Sequence, residues 1–199
     1  MLYLYDDAIA EDLQGAISKS GNINGNVKVM ESDEILGLLA QLEDDHIQFP
    51  FLCLVRDGNT TIDSTLSNFT RIHAGHAEII DPETNNVYLE RAIPVQLKYG
   101  LHIFTTNTAD MDELVREITF RYMEMYFLTI QKPYEGQTKL RFGVAIPPGT
   151  EFQRESSSGS YIKEGKLYET IIPLTCQGCV MLKYVPKHMI RLAGEVKAK

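Results

Sequence analysis

The chain has 199 residues, of which 44% are hydrophobic and 23% charged, and its formal net charge is −8. That is enough apolar material for the core of an ordinary globular domain. The acidic balance argues against a protein whose task is to grip nucleic acid, because such affinity comes largely from lysines and arginines that neutralise phosphates. Three cysteines, an odd number, fit a reducing compartment better than a disulfide framework. The N-terminal stretch MLYLYDD has no basic leader region, and no run approaches the ~20 apolar residues of a membrane span. The expectation is a chain made in the cytosol, with no membrane partner.

Residues 6–18 carry Ile9, Leu13, Ala16 and Ile17 at helical spacing, with Asp6 or Asp7 placed to cap the helix. Asn-Gly within 22–26 signals a turn, and Val27-Lys28-Val29-Met30 alternates like a short strand. Ser32 stands where a second helix would be capped. Asp33 and Glu34 suit its positive end, and Ile35, Leu38, Leu39 and Leu42 make one stripe. Phe51-Leu52-Cys53-Leu54-Val55 is a continuous apolar run closed by Arg56-Asp57-Gly58, which predicts a strand buried on both faces. Residues 59–68 are polar and weakly patterned.

Residues 71–80 and 86–91 flank Asp81-Pro82-Glu83-Thr84-Asn85, a hairpin loop by composition. The second arm leads into IPVQLKYGLHIFTT, residues 93–106. There Val95, Leu97, Tyr99, Leu101 and Ile103 share one face, while Gln96, Lys98 and His102 share the other. Thr108 is placed to cap the clearest helix in the chain. Its stripe is Met111, Leu114, Val115, Ile118, Tyr122 and Met125, its first turn carries Asp110, Asp112 and Glu113, and Arg116 and Arg121 fall on the solvent side. Residues 140–146 read as a strand stopped by Pro147-Pro148-Gly149, and 166–174 and 179–184 as two further strands.

The order predicts an α+β fold, a mostly antiparallel sheet with two or three helices packed on one face. A single domain is expected over 1–199. The Ser/Gly-rich stretch near 154–161 reads as a mobile loop inside it, and 188–199 as a flexible tail.

Candidate chemistry is sparse. Cys176-Gln177-Gly178-Cys179 has redox spacing, but a reactive pair needs its first thiol at a helix N-terminus, and Val180 to Tyr184 looks like a strand. The bland reading is two cysteines flanking a Gln-Gly turn or bulge. A structural zinc would need two more ligands, and Cys53 stands alone. His73 and His76 lie near Glu78, yet residues three apart in an extended segment point to opposite faces, so the pair converges only on a turn or helix. Asp110, Asp112 and Glu113 are helix-start charges. Lys187, His188, Arg191 and Lys197 read as a solvated tail. No nucleophile elbow, phosphate loop or metal cluster emerges from spacing, so no catalytic residue, cofactor or metal is assigned.

Three stretches carry a family resemblance: the opening amphipathic helix, the apolar strand at 49–56, and the proline-led strand at 93–105 running into an acidic-start helix at 110–125. Together they resemble the tail terminator and tail completion proteins of tailed bacteriophages and phage-derived particles. Two regions depart from the shorter members: 59–90 and the chain after Pro147. The resemblance implies a noncatalytic virion protein, a homo-oligomeric ring, usually sixfold, at the head-proximal end of the tail. Its partners would be further copies of itself, the tail tube, and neck or sheath proteins, with DNA passing nearby without specific binding. It also implies that Gln96, Lys98 and His102, with Arg154, Glu155 and Tyr161 on the nearby loop, face a neighbouring subunit. Two alternatives stay open: a small cytosolic enzyme or metal protein using Cys176, Cys179 or the His73/His76 pair, and a monomeric ligand-binding α+β domain.

Overall fold

The computed structural model describes residues 2–19, 26–31, 34–35, 49–58, 60–62, 76–81, 84–131, 139–158 and 166–181. In chain order these form α1 (Tyr3–Lys19), β1 (Asn26–Met30), β2 (Phe51–Arg56), β3 (Thr61–Ile62), β4 (His76–Ile80), β5 (Val87–Thr105), α2 (Thr108–Tyr122), β6 (Tyr126–Gln131), β7 (Lys139–Ala145), β8 (Gln153–Ser158) and β9 (Lys166–Met181). All the strands join one sheet, whose main order is β1-β2-β5-β4-β7-β9-β8, with β3 added to β5 and β6 to β7. Only the β1–β2 pair is parallel; every other described pairing is antiparallel. The α+β class, with helices packed on a mostly antiparallel sheet, is therefore the observed architecture.

The long strand is longer than its alternation predicts. The hairpin arm and the IPVQLKYGLHIFTT stretch merge into one 19-residue strand. β5 pairs with β9 from Ala92↔Met181 to Thr105↔Tyr168 on one side. On the other it meets β4, β3 and β2 in turn. Pro94 sits inside this strand without breaking the ladder, because β4 ends opposite Arg91 and β3 begins opposite Val95, so its missing N–H falls between two partners. The strands flanking the hairpin loop predicted at 81–85 pair as expected: the Asp81 N–H donates to the Asn86 carbonyl, and Asn85 takes a positive φ of 54°, a conformation asparagine tolerates.

Both helices lie on the face of β5 that carries Val95, Leu97, Tyr99, Leu101 and Ile103, all of them buried. α1 contributes Tyr5, Ile9, Leu13 and Ile17, and α2 contributes Met111, Leu114, Ile118 and Tyr122, to one core with Leu52, Leu54, Phe142, Val144, Ile172 and Leu174. Burying each such aliphatic side chain stabilises the fold by roughly 1.5–3 kcal/mol. A second, smaller cluster lies at one end of the sheet: Met30, Ile35, Phe51, Cys53, Val55, Phe104 and Leu167. β2 is buried at all five positions from Phe51 to Val55, as its unbroken apolar run predicts, because it contributes to both clusters.

Several expectations need correction. α1 begins at Tyr3, so Asp6 is inside the helix and is not its cap. The cap of α2 is Asn107, whose side chain accepts from the Ala109 N–H, and Thr108 is the first helical residue. α2 ends at Tyr122, which leaves Met125 outside its stripe. The strands expected at 166–174 and 179–184 are one strand, Lys166–Met181, running straight through Cys176-Gln177-Gly178-Cys179, so no turn or bulge separates the two thiols. Residues 153–158, the first part of the expected loop, are strand β8, paired with β9 from Gln153↔Ile171 to Ser158↔Lys166. β6 had no sequence expectation. The second helix expected from Ser32 lies mostly outside the described residues, as does the tail at 188–199.

Candidate functional site

The face of β5 away from the helices holds the positions singled out for a partner. Lys98 is exposed, while Gln96 and His102 are half-buried. Across the ladder they face Gln177, Thr175 and Ile171 of β9. His102 is not the free side chain that alternation predicts. Its Nδ1–H donates to Glu169 Oε1 at 2.8 Å, a diagonal cross-strand contact, and its ring stacks on Phe104 with centroids 6.3 Å apart. β8 extends the same sheet, with Arg154 opposite Thr170 and Glu155 opposite Glu169. The fold thus brings His102, Glu169 and Glu155 to one end of the sheet on three successive strands. Tyr161 lies outside the described residues.

Further along this face, Arg141 of β7 stands over the ring of Phe127 of β6, 4.2 Å from its centroid, and Phe127 and Ile171 remain partly exposed at 40% and 38%. The result is a band of mixed charge and scattered apolar surface on the side of the sheet that α1 and α2 do not cover.

Cys176 and Cys179 are buried at 0% and 1% exposure. Burial pushes the Cys176 thiol well above its ordinary pKa, with the nearby Asp6 carboxylate adding to the effect. Cys53 is pushed up to about 12, chiefly by burial. Protonated, enclosed thiols are poor nucleophiles and poor metal ligands. Among the described residues no group of three or more His, Cys, Asp or Glu is placed to hold a metal ion. His76 and Glu78 lie on β4, and His73 is outside the described residues, as are Lys187, His188, Arg191 and Lys197. Asp110 lies in the first turn of α2 as expected, and Glu113 pairs with Arg116 at 3.5 Å.

Three polar contacts on the helix side have no counterpart in the sequence reading. The Tyr5 hydroxyl donates to the Cys179 carbonyl at 2.7 Å and accepts from the Cys179 N–H at 2.8 Å. Asp6 accepts from Arg56 Nη1 at 2.7 Å and from the Tyr99 hydroxyl at 2.8 Å, joining α1 to β2 and β5. Burial raises the Asp6 pKa, and its bonds to Tyr99 and Arg56 oppose that rise. Asp12 accepts from Arg121 Nε at 2.7 Å and from the Tyr122 hydroxyl at 2.6 Å, and Arg121 also reaches the Tyr126 hydroxyl and covers its ring. Arg121 is therefore a tie between α1, α2 and β6, and not the solvent-side charge that helical spacing suggests. Its hydrogen bond to Asp12 raises its pKa further. The partners that α1 reaches are 50 to 174 residues away in sequence, so no local pattern announces them.

Set against models of known protein families and against curated proteins, the chain matches none. No helix among the described residues is long and apolar enough to cross a membrane.

Proposed function

We propose that this chain is a noncatalytic structural protein of a phage or phage-like particle, a tail terminator or head–tail connection protein that works as a homo-oligomeric ring. The reading is carried by the β5–α2 unit: a long proline-bearing strand, a short polar break at Thr106-Asn107, and a helix with an acidic first turn. It draws support from the division of labour across the sheet. The helices and the buried ion pairs hold one face, and Lys98, Gln96, Phe127 and Ile171 lie on the other, where a neighbouring subunit of a ring wall would meet them. His102 and Glu169 then act as a fixed pair that shapes this face. Virion location, a sixfold ring, contact with tail tube, neck or sheath, and passage of DNA through the ring all belong to this proposal.

The test is the mass of the purified, untagged chain by light scattering over a range of concentrations, alone and with a candidate tube protein, with negative-stain images of any large species. The expected result is a closed ring with a central hole that Lys98→Glu prevents without lowering the melting temperature. A chain that forms no ring, alone or with the tube partner, would refute the reading.

A further inference from the structure

α2 is sealed at its start and open at its end. Phe120 is 72% exposed and Met123 60% exposed, one turn apart, and Phe152, 40% exposed, lines a cleft together with Met123. Isolated exposed apolar residues are ordinary, but a contiguous group of them marks an interaction surface. This group is flanked by clefts. One, of about 570 Å³, runs between α1 and α2 and is lined by Ala16, Ile17, Leu114 and Ile118, with Arg116, Glu117, Phe120 and Arg121 at its rim. The other, of about 290 Å³, is lined by Thr119, Met123, Ile146, Pro147, Pro148, Gly149, Thr150 and Phe152.

We infer that this surface is a two-fold contact with a second copy of the chain, in which Phe120 of each copy enters the other's cleft between α1 and α2. Two observations select that occupant. First, the projecting ring and the hollow that fits it belong to one patch, since Phe120 is itself a lining residue of the cleft. A patch that carries both knob and hole is self-complementary and pairs through a two-fold axis; a ring contact needs two different surfaces. Second, the rim is mixed in charge. Arg116 has 62% of its side chain exposed and pairs with Glu113 of its own chain at 3.5 Å, and Glu117 is its neighbour in sequence. A two-fold axis sets Arg116 of one copy against Glu117 of the other, twice over. In a chain of net charge −8, two copies repel at long range, and a patch presenting both signs offsets that repulsion where they meet.

The contact uses the helix layer and does not rest on the ring reading, which concerns the opposite face of the sheet. An exposed aromatic at the centre of such a patch, ringed by polar side chains, is the usual position of a residue that dominates binding.

The test uses the full-length chain. Light scattering of the Lys98→Glu chain, in which ring closure is expected to be blocked, is expected to show a reversible dimer across a concentration series. Phe120→Asp is expected to weaken it by about 30-fold or more, the effect of losing a dominant contact residue, at an unchanged melting temperature. Glu117→Cys treated with a short bismaleimide is expected to yield a covalent dimer through residue 117 of both copies, because the native thiols are buried; a head-to-tail ring does not bring that residue against itself. Should Phe120→Asp fail to fold, Arg116→Glu is expected to weaken the dimer, and Arg116→Glu combined with Glu117→Arg to restore it. A strictly monomeric Lys98→Glu chain, a mass curve that Phe120→Asp leaves unchanged in that background, an absent crosslink, or a double charge swap that does not restore dimerisation overturns the inference.

Discussion

The two faces of the sheet are made from the same strands and are stabilised in different ways. On the helix side β5 shows Val95, Leu97, Tyr99, Leu101 and Ile103, each at 3% exposure or less, under two helices locked by Asp6 and Asp12. On the other side the same strand shows Gln96, Lys98 and His102, and only its end, at Phe104, is enclosed in a small cluster. Neighbouring residues of one strand therefore differ sharply in what they contribute: one face carries the stability of the fold, and the other is free to be shaped for contact. The difference follows from strand geometry, since successive side chains must point to opposite faces, and among the described residues α1 and α2 roof only one face of β5.

That contrast can be tested within the one strand. Leu101→Ala, on the roofed face, is expected to cost about 2–5 kcal/mol, a fall of roughly 4 °C or more in melting temperature for a chain of this size. Lys98→Ala, three positions away on the open face, is expected to stay within about 0.5 kcal/mol. Equal losses in urea unfolding would mean that the open face is as tightly packed as the other.

Next in size is the meeting of α1 with β9. A side chain at Gly178 would place its Cβ 2.7 Å from the Tyr5 ring, a rigid neighbour. Gly178→Ala is therefore expected to cost about 1–3 kcal/mol through overpacking. Tyr5→Phe is expected to cost about 1–3 kcal/mol because the buried polar groups of Cys179 lose their partner. In the double mutant the two losses should fall short of their sum, since both act by displacing the same ring. Strict additivity in a double-mutant cycle would show that Tyr5 and Gly178 are not coupled.

Asp6 and Asp12 of α1 should respond differently to substitution. Asp12→Ala leaves Arg121 and Tyr122 without their acceptor and is expected to cost about 1–3 kcal/mol. For Asp6 the sign runs the other way with pH. Burial holds its folded pKa above the unfolded value, so the unfolded chain releases this proton first, and its contribution to stability is present at low pH and lost as pH rises through the folded pKa. Asp6→Asn, which stays neutral, should therefore gain on wild type as pH rises through the carboxylate range. A gap between the two melting curves that is flat, or that moves the other way, would mean that the bonds from Tyr99 and Arg56 outweigh burial.

The smallest effect is expected on the open face. His102→Ala or Glu169→Gln should each cost less than about 1 kcal/mol, as expected of a partly exposed pair. A larger loss would make this pair part of the scaffold. An assembly defect at unchanged stability would assign it to the contact surface.

Much of this was legible locally. The 2-residue period of 93–105, the 3.6-residue stripe of α2 and the unbroken apolar run of β2 each follow from side-chain geometry acting over a few residues, although the strand starts earlier than its pattern and the stripe expected to reach Met125 stops at Tyr122. The loop expected at 154–161 shows where local reasoning stops. Serines and charges have weak strand preference, yet 153–158 is a strand because β9 offers it an edge to pair with. The same holds for the break expected at Cys176-Gln177-Gly178-Cys179, which the continuous ladder to β5 overrides.

The candidate surface was legible only in part. Alternation assigns Gln96, Lys98 and His102 to one face, but not that His102 would be claimed by Glu169, 67 residues away. What the sequence by itself determined is which residues share a face, because backbone geometry repeats over a few positions. Tertiary structure alone decided which polar residues were occupied: Tyr5 by Cys179, Asp6 by Arg56 and Tyr99, Asp12 by Arg121 and Tyr122. Those pairings arise because burial makes an unpartnered polar group costly, and the available partner is set by which strands and helices the fold brings together, not by distance along the chain.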